Sequence, residues 1–252
     1  MSQARNTLVR PLTARSVIAS TLLGINPPRL SAAALVASGE QYGVAAGTTR
    51  VALSRMVDAG ELVAVDSGYA LAGPLLERHA RQEQGRHPRT TAWKGAWRIG
   101  VVRAVTRDAR ARAALRRAMT QQRLAELRAG VWIRPDNLPA SAAHAECVWF
   151  TGEPDDAIDV DALFGVPEWA EVAGELLEEL AATAPRLRDR DPDALAETFV
   201  IAAATTRHLT LDPLLPRQLL PDDWPGDELR RTYDAYQSDF AATWRQWFRS
   251  LG

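Results

Sequence analysis

The stretch Ala46-Gly-Thr-Thr-Arg-Val-Ala-Leu-Ser-Arg-Met-Val-Asp-Ala59, then Gly60, then Glu61-Leu-Val-Ala-Val-Asp-Ser-Gly-Tyr-Ala-Leu71, decides how the whole chain reads. Thr49, Ala52, Leu53 and Met56 recur at i, i+3, i+4 and i+7, the spacing of one helical face, so residues 46–59 read as a helix with that face packed inward. The opposite face, Gly47, Arg50, Val51, Ser54 and Asp58, has the same spacing but little to bury, and Thr48 and Arg55 flank it. Gly60 stops the helix. Residues 61–65, the turn Asp66-Ser67-Gly68 and residues 69–71 read as strand, turn and strand.

Toward the amino end, Thr13 is a helix cap, and Ala14, Val17, Ile18, Leu22 and Ile25 repeat at helical spacing. This predicts a helix over 14–23, ended by Gly24 and barred from continuing by Pro27-Pro28. Ser31 caps a second, short helix carried by Ala32, Leu35, Val36 and Gly39, and Gly39 and Gly43 bracket the tight turn that follows. Three short helices and a hairpin make a winged helix-turn-helix, whose third helix fits a DNA major groove about 12 Å wide. The same topology also serves small docking modules. Arg50 favours DNA: at the outward, N-terminal part of the third helix it can make a bidentate contact to guanine. Thr48 and Ser54 can read a base or a phosphate, Val51 suits a thymine methyl, and Gly47 opens the same face. Arg15 and Arg55 fall where backbone phosphates are expected, and Ser67 and Tyr69 at the wing tip.

Beyond the hairpin, residues 74–84 read as one more helix, and the aperiodic, breaker-rich stretch 85–96 marks a domain boundary. A β-rich run over 97–105, an arginine-rich helix over 108–119, strands over 124–133 and 146–151 and a short second helix over 159–164 suggest a ferredoxin-like unit. The rest is helical: 172–182, 192–207 and, after a proline-rich bend, 227–248. Leu229, Tyr233, Tyr236, Phe240, Thr243 and Trp247 form a stripe on the last helix, read as core ahead of a ligand box or dimer seam. The expected division is 1–84, 85–166 and 167–252.

Charge is split between the halves. Residues 1–128 hold 20 Arg or Lys against 8 Asp or Glu, a net of +12, and residues 129–252 hold 10 against 23, a net of −13. A basic front suits a polyanion, although an arginine-rich helix is as readily a solvated exterior. Cys147 is the single cysteine of the 252 residues, which excludes an internal disulfide and suits the cytoplasm. No apolar run approaches the ~18 residues needed to span a bilayer. Arginines ahead of the apolar residues 17–25 imitate a leader peptide, but Ser20 and Thr21 interrupt that stretch and a helix accounts for it better. His79, His87, His144 and His208 are scattered, and His144 with Cys147 offers two metal ligands at most. No nucleophile elbow, zinc-protease motif or glycine-rich phosphate loop occurs, so neither an enzyme nor a cofactor is expected.

Several longer words sharpen this. Thr13-Ala-Arg-Ser16, Val51-Ala-Leu-Ser-Arg-Met56 with Gly60, Gly130-Val-Trp-Ile-Arg-Pro-Asp-Asn-Leu138, and His208-Leu-Thr-Leu-Asp-Pro-Leu-Leu-Pro216 running into Leu219-Leu-Pro-Asp-Asp-Trp-Pro-Gly226 resemble the PaaX family of transcriptional regulators over nearly the whole chain. The resemblance implies an α+β protein with a winged helix-turn-helix, a ferredoxin-like middle domain similar to Cas2, and a helical C-terminal domain. It further implies a homodimer on a palindromic operator of double-stranded DNA, repressing aromatic-acid catabolic genes until an aryl-CoA thioester binds. Arg134, His208, Arg217 and Trp132, on the family-like words, are the candidates for that effector, and His208 and Asp212 serve equally as a structural turn. The Cas2 similarity leaves one enzymatic alternative, a metal-dependent nuclease using Asp108, a residue equally suited to cap the arginine-rich helix.

Overall fold

The computed structural model describes residues 13–103, 108–139 and 144–251. The chain forms two compact units. The first takes in the described residues up to His87, Val172–Thr210 and those from Gly226 onward; the second takes in Pro88–Glu171 and Leu211–Pro225.

In the first unit, α1 (Ala14–Leu23), β1 (Arg29–Leu30), α2 (Ala32–Gln41), α3 (Ala46–Asp58), β2 (Leu62–Val65), β3 (Gly68–Leu71) and α4 (Gly73–Arg86) follow in order. Thr13 and Ser16 close a reciprocal capping box on α1, and the Ser31 hydroxyl accepts from the Ala34 N–H on α2. Ile18, Leu22, Leu35, Leu53, Met56, Leu62, Leu71 and Leu75 make the core. Full burial of each such side chain stabilises by about 1.5–3 kcal/mol, more than a cap contributes. The α2–α3 crossing depends on Gly39: a Cβ there would lie 2.3 Å from the Thr49 Oγ1. The hairpin β2–β3 is joined on the β3 side by β1 through Arg29–Ala70 and Leu30–Tyr69 pairing, giving the antiparallel order β1-β3-β2. No expectation covered β1, two residues directly after Pro27-Pro28 with no periodicity of their own.

The same unit contains most of α7 (Val166–Arg188), all but the last residue of α8 (Leu195–Leu211) and α9 (Gly226–Arg249). On α9, Leu229, Tyr233, Tyr236 and Thr243 are buried, and Phe240 and Trp247 are half-buried. Polar contacts fix the helices: Thr183 Oγ1 and the Tyr236 hydroxyl are 2.8 Å apart, and Thr243 Oγ1 donates to the Leu187 carbonyl at 2.9 Å. The end of α4 is tied to α9. Arg86 donates to Asp234 at 2.8 Å and lies over the Tyr233 ring, and Arg230 Nε donates to the Gly85 carbonyl at 3.0 Å.

The second unit holds β4 (Trp97–Val102), α5 (Ala109–Gln121), β5 (Ala125–Arg128), β6 (Val131–Pro135), β7 (Cys147–Gly152) and α6 (Val160–Phe164). The sheet order β5-β6-β4-β7, antiparallel throughout, is that of a ferredoxin-like sheet. Leu115 and Met119 of α5 pack on Trp132 and Cys147, while Arg110, Arg112, Arg116 and Arg117 point to solvent and Arg116 pairs with Glu126 at 2.7 Å. The reading of 124–133 as one strand needs correction: the chain turns at Ala129–Gly130 and gives the separate antiparallel strands β5 and β6. The short second helix is present as α6, after β7, and the part of the first strand expected over 104–105 lies outside the described residues.

Candidate nucleic-acid interface

The inward residues of α3, Thr49, Leu53 and Met56, are each at most 2% exposed, and this fixes which side faces water. Gly47, Thr48, Arg50, Val51, Ser54 and Arg55 all lie on the exposed side. Val51 is 52% exposed, so an apolar side chain stands open on this face. Both Arg50 and Arg55 are exposed, and among the described residues no carboxylate pairs with either. The N-cap of α3 is Ala45, which supplies no side-chain acceptor, so the first backbone N–H groups of the helix are left to water or to a bound anion. On the wing, Ser67 is exposed and Tyr69 half-buried in β3.

The far end of α9 adds to this surface. Phe248, Arg249 and Leu251 border a cleft together with Arg50 and Tyr69, so that cleft carries a second cation. Arg249 escaped the reading of the sequence because it is remote along the chain and belongs to no motif.

Arg15 has a different setting. Its Nε donates to Glu61 Oε2 at 2.9 Å and its Nη2 to Glu61 Oε1, a two-pronged ion pair between α1 and the start of the hairpin. That hydrogen bonding holds the Glu61 carboxyl below the usual carboxylate range and raises the Arg15 guanidinium further. Each phosphate contact that is lost should lower the salt slope of DNA binding by about 1. Arg55→Ala is therefore expected to lose about 1 in that slope and Arg15→Ala less, because Glu61 already neutralises Arg15. Fluorescence anisotropy on an operator duplex over a salt series measures both; equal losses would show that Arg15 leaves Glu61 to meet a phosphate.

The candidates for an effector are dispersed. Trp132 sits in the core of the second unit at 5% exposure, and Arg134, on the same strand, is 4% exposed, with Nη1 donating to the Pro135 carbonyl at 3.1 Å. Burial lowers the Arg134 pKa from its ordinary value. Arg217 is turned onto its own loop, donating to the carbonyls of Leu220, Pro221 and Asp222 at 2.6–3.0 Å. His208 is buried on α8 in the first unit, and Asp212, in the second, accepts from the Leu214 N–H at 2.7 Å.

Asp108 caps α5, accepting from the N–H groups of Arg110 at 2.9 Å and Ala111 at 3.3 Å. Among the described residues no group of three His, Cys, Asp or Glu side chains is placed to hold a metal ion. The nuclease alternative finds no support. No helix among the described residues is long and apolar enough to cross a membrane.

Comparison with known proteins agrees with this architecture. Residues 13–75 match the PaaX-like protein family, residues 90–147 the PaaX protein central Cas2-like domain, and residues 167–250 the PaaX-like protein C-terminal domain. The structure of an uncharacterised protein, Rv0674 from Mycobacterium tuberculosis, is similar at 40% sequence identity and a TM-score of 0.75, covering 93% of this chain and 98% of that one. No curated protein matches. With all three parts of the chain matched in order, this protein belongs to the PaaX family of transcriptional regulators.

Proposed function

We propose that the protein is a DNA-binding repressor of catabolic genes that works in the cytoplasm. It acts as a homodimer that sets its two α3 helices into successive major-groove turns of a palindromic operator and releases it when an aryl-CoA thioester binds. The observation that carries this reading is the open face of α3, with Arg50 uncompensated and Val51 exposed, on a helix whose other face is fully packed. The surplus of cations in residues 1–128 supports the same assignment by drawing the duplex toward this part of the chain. The division of labour proposed is 1–84 for DNA, 85–166 for the ferredoxin-like part and 167–252 for the C-terminal helices. Gly47, Thr48, Arg50, Val51 and Ser54 read the groove, and Arg55, Arg15, Ser67 and Tyr69 lie toward the backbone. Release requires an effector with different affinities for the bound and free conformers.

Footprinting on the upstream region of the protein's own gene tests the proposal. Two protected half-sites about 34–36 Å apart, or a multiple of that spacing, are expected. Phenylacetyl-CoA or another thioester from a panel should lift the protection. Absence of any protected sequence would overturn the DNA-binding assignment, and protection indifferent to every thioester would overturn the effector class.

A further inference from the structure

The first unit contains a partly open cavity of about 270 Å³ between the winged helix and the C-terminal helices. Its wall is largely apolar: Ile25 just beyond α1, Phe199 on α8, and Phe240 and Trp244 on α9. Two polar atoms on that wall have no partner among the described residues. Gln82 of α4 is 7% exposed and its Oε1 accepts no hydrogen bond; the buried Thr21 Oγ1 of α1 is likewise unpaired. A helical threonine ordinarily turns its hydroxyl back to the carbonyl four residues earlier. Thr183, Thr198, Thr205 and Thr206 all do so, at 2.7–3.0 Å, and Thr21 does not. A buried acceptor without a donor carries the full desolvation cost of the group, so an orphaned pair on one cavity wall is a standing demand for a ligand.

Charge adds a second demand. Arg78, an exposed residue at the rim of the cavity, has no carboxylate partner among the described residues. Its charged neighbours are Arg207, Arg81 and Arg15, and their repulsion, after desolvation, lowers its pKa from the ordinary value. An uncompensated guanidinium beside an apolar chamber is matched by an anion.

We infer that this cavity binds a small ligand with a flat apolar body of one or two rings, a hydrogen-bond donor facing Gln82 and Thr21, and an anionic group facing Arg78. The walls come from both sides of the first unit, which Gln237 Nε2 stitches to the Gly24 carbonyl at 3.3 Å. Occupancy therefore acts on the seating of α1 against α8 and α9. A regulatory consequence of that binding rests on the repressor reading; the binding itself does not.

Isothermal titration calorimetry of the full chain without DNA tests the site, using three probes of similar size. Indole-3-acetate, with ring, N–H donor and carboxylate, is expected to bind one per chain. 1-Naphthylacetate, which lacks the donor, should bind roughly tenfold more weakly, and tryptamine, cationic where the others are anionic, should not bind. Gln82→Leu should melt at a higher temperature than the wild type, being relieved of its orphan acceptor, and should bring indole-3-acetate down to the affinity of 1-naphthylacetate. A lower melting temperature would assign Gln82 to structure alone and overturn the inference. So would equal binding of all three probes, or no heat from indole-3-acetate at low millimolar concentration. Because no duplex is present, these results are independent of whether the footprint succeeds.

Discussion

Arg50→Ala weakens operator binding by about 1–3 kcal/mol at fixed salt and relaxes the preference for guanine at one position of each half-site. The size of the effect follows from the setting. Arg50 is exposed on the outer side of α3, while Leu53 and Met56 beneath it, both 2% exposed, hold the helix axis in place, so truncation removes a contact without moving its platform. A guanidinium meeting guanine O6 and N7 makes two charge-assisted hydrogen bonds to one base edge, and no other base presents two adjacent acceptors on its major-groove edge. Loss should therefore be unequal across sequences. Competition binding against operators varied one base pair at a time reads both numbers. An unchanged affinity, or a uniform weakening across all variants, would remove Arg50 from base readout.

The second large effect concerns folding. Gly85→Val should cost about 3 kcal/mol of stability, the upper part of the range for overpacking a close contact. A Cβ at residue 85 would lie 2.7 Å from the Leu209 carbonyl oxygen and 2.9 Å from its carbon. Both are backbone atoms of α8, which no side-chain rotation can clear. Gly174 is the matching control: a Cβ there meets nothing within 4 Å, so Gly174→Ala should be neutral or stabilising by up to about 1 kcal/mol through helix propensity. For a chain of this size each kcal/mol moves Tm by roughly 2–4 °C. Thermal melting of the two variants beside the wild type decides. Similar melting temperatures for all three would mean that α4 and α8 are not packed as described.

What the sequence disclosed depended on how local the cause was. Helices α1 to α3 were legible because their apolar residues repeat within a few turns, and the same repeat assigns Thr49, Leu53 and Met56 to the inside and Arg50 and Val51 to the outside. The β5–β6 hairpin was not, since Ala129–Gly130 is a weak break inside an otherwise continuous run of strand-forming residues. Strand β1 exists only through its pairing with Ala70 and Tyr69, which nothing in Arg29 or Leu30 announces. Long-range partners were the least accessible. The sequence does not show that Arg15 pairs with Glu61, and the partnerless state of Gln82 and Thr21 is visible only once α1, α4, α8 and α9 surround one space.

The interleaving of the first unit also bears on how the protein is made. Synthesis delivers α1 to α4 first, then the entire ferredoxin-like part, and only afterwards most of α7, α8 and α9. Domains generally fold as the ribosome releases them. The winged helix has a core of its own and can settle early, but Gly85, Arg86 and the cavity wall must wait, uncovered, until translation of the final helix is finished. A ribosome stalled within α9 would thus present a nascent chain already able to display Arg50 while its cavity is still unformed.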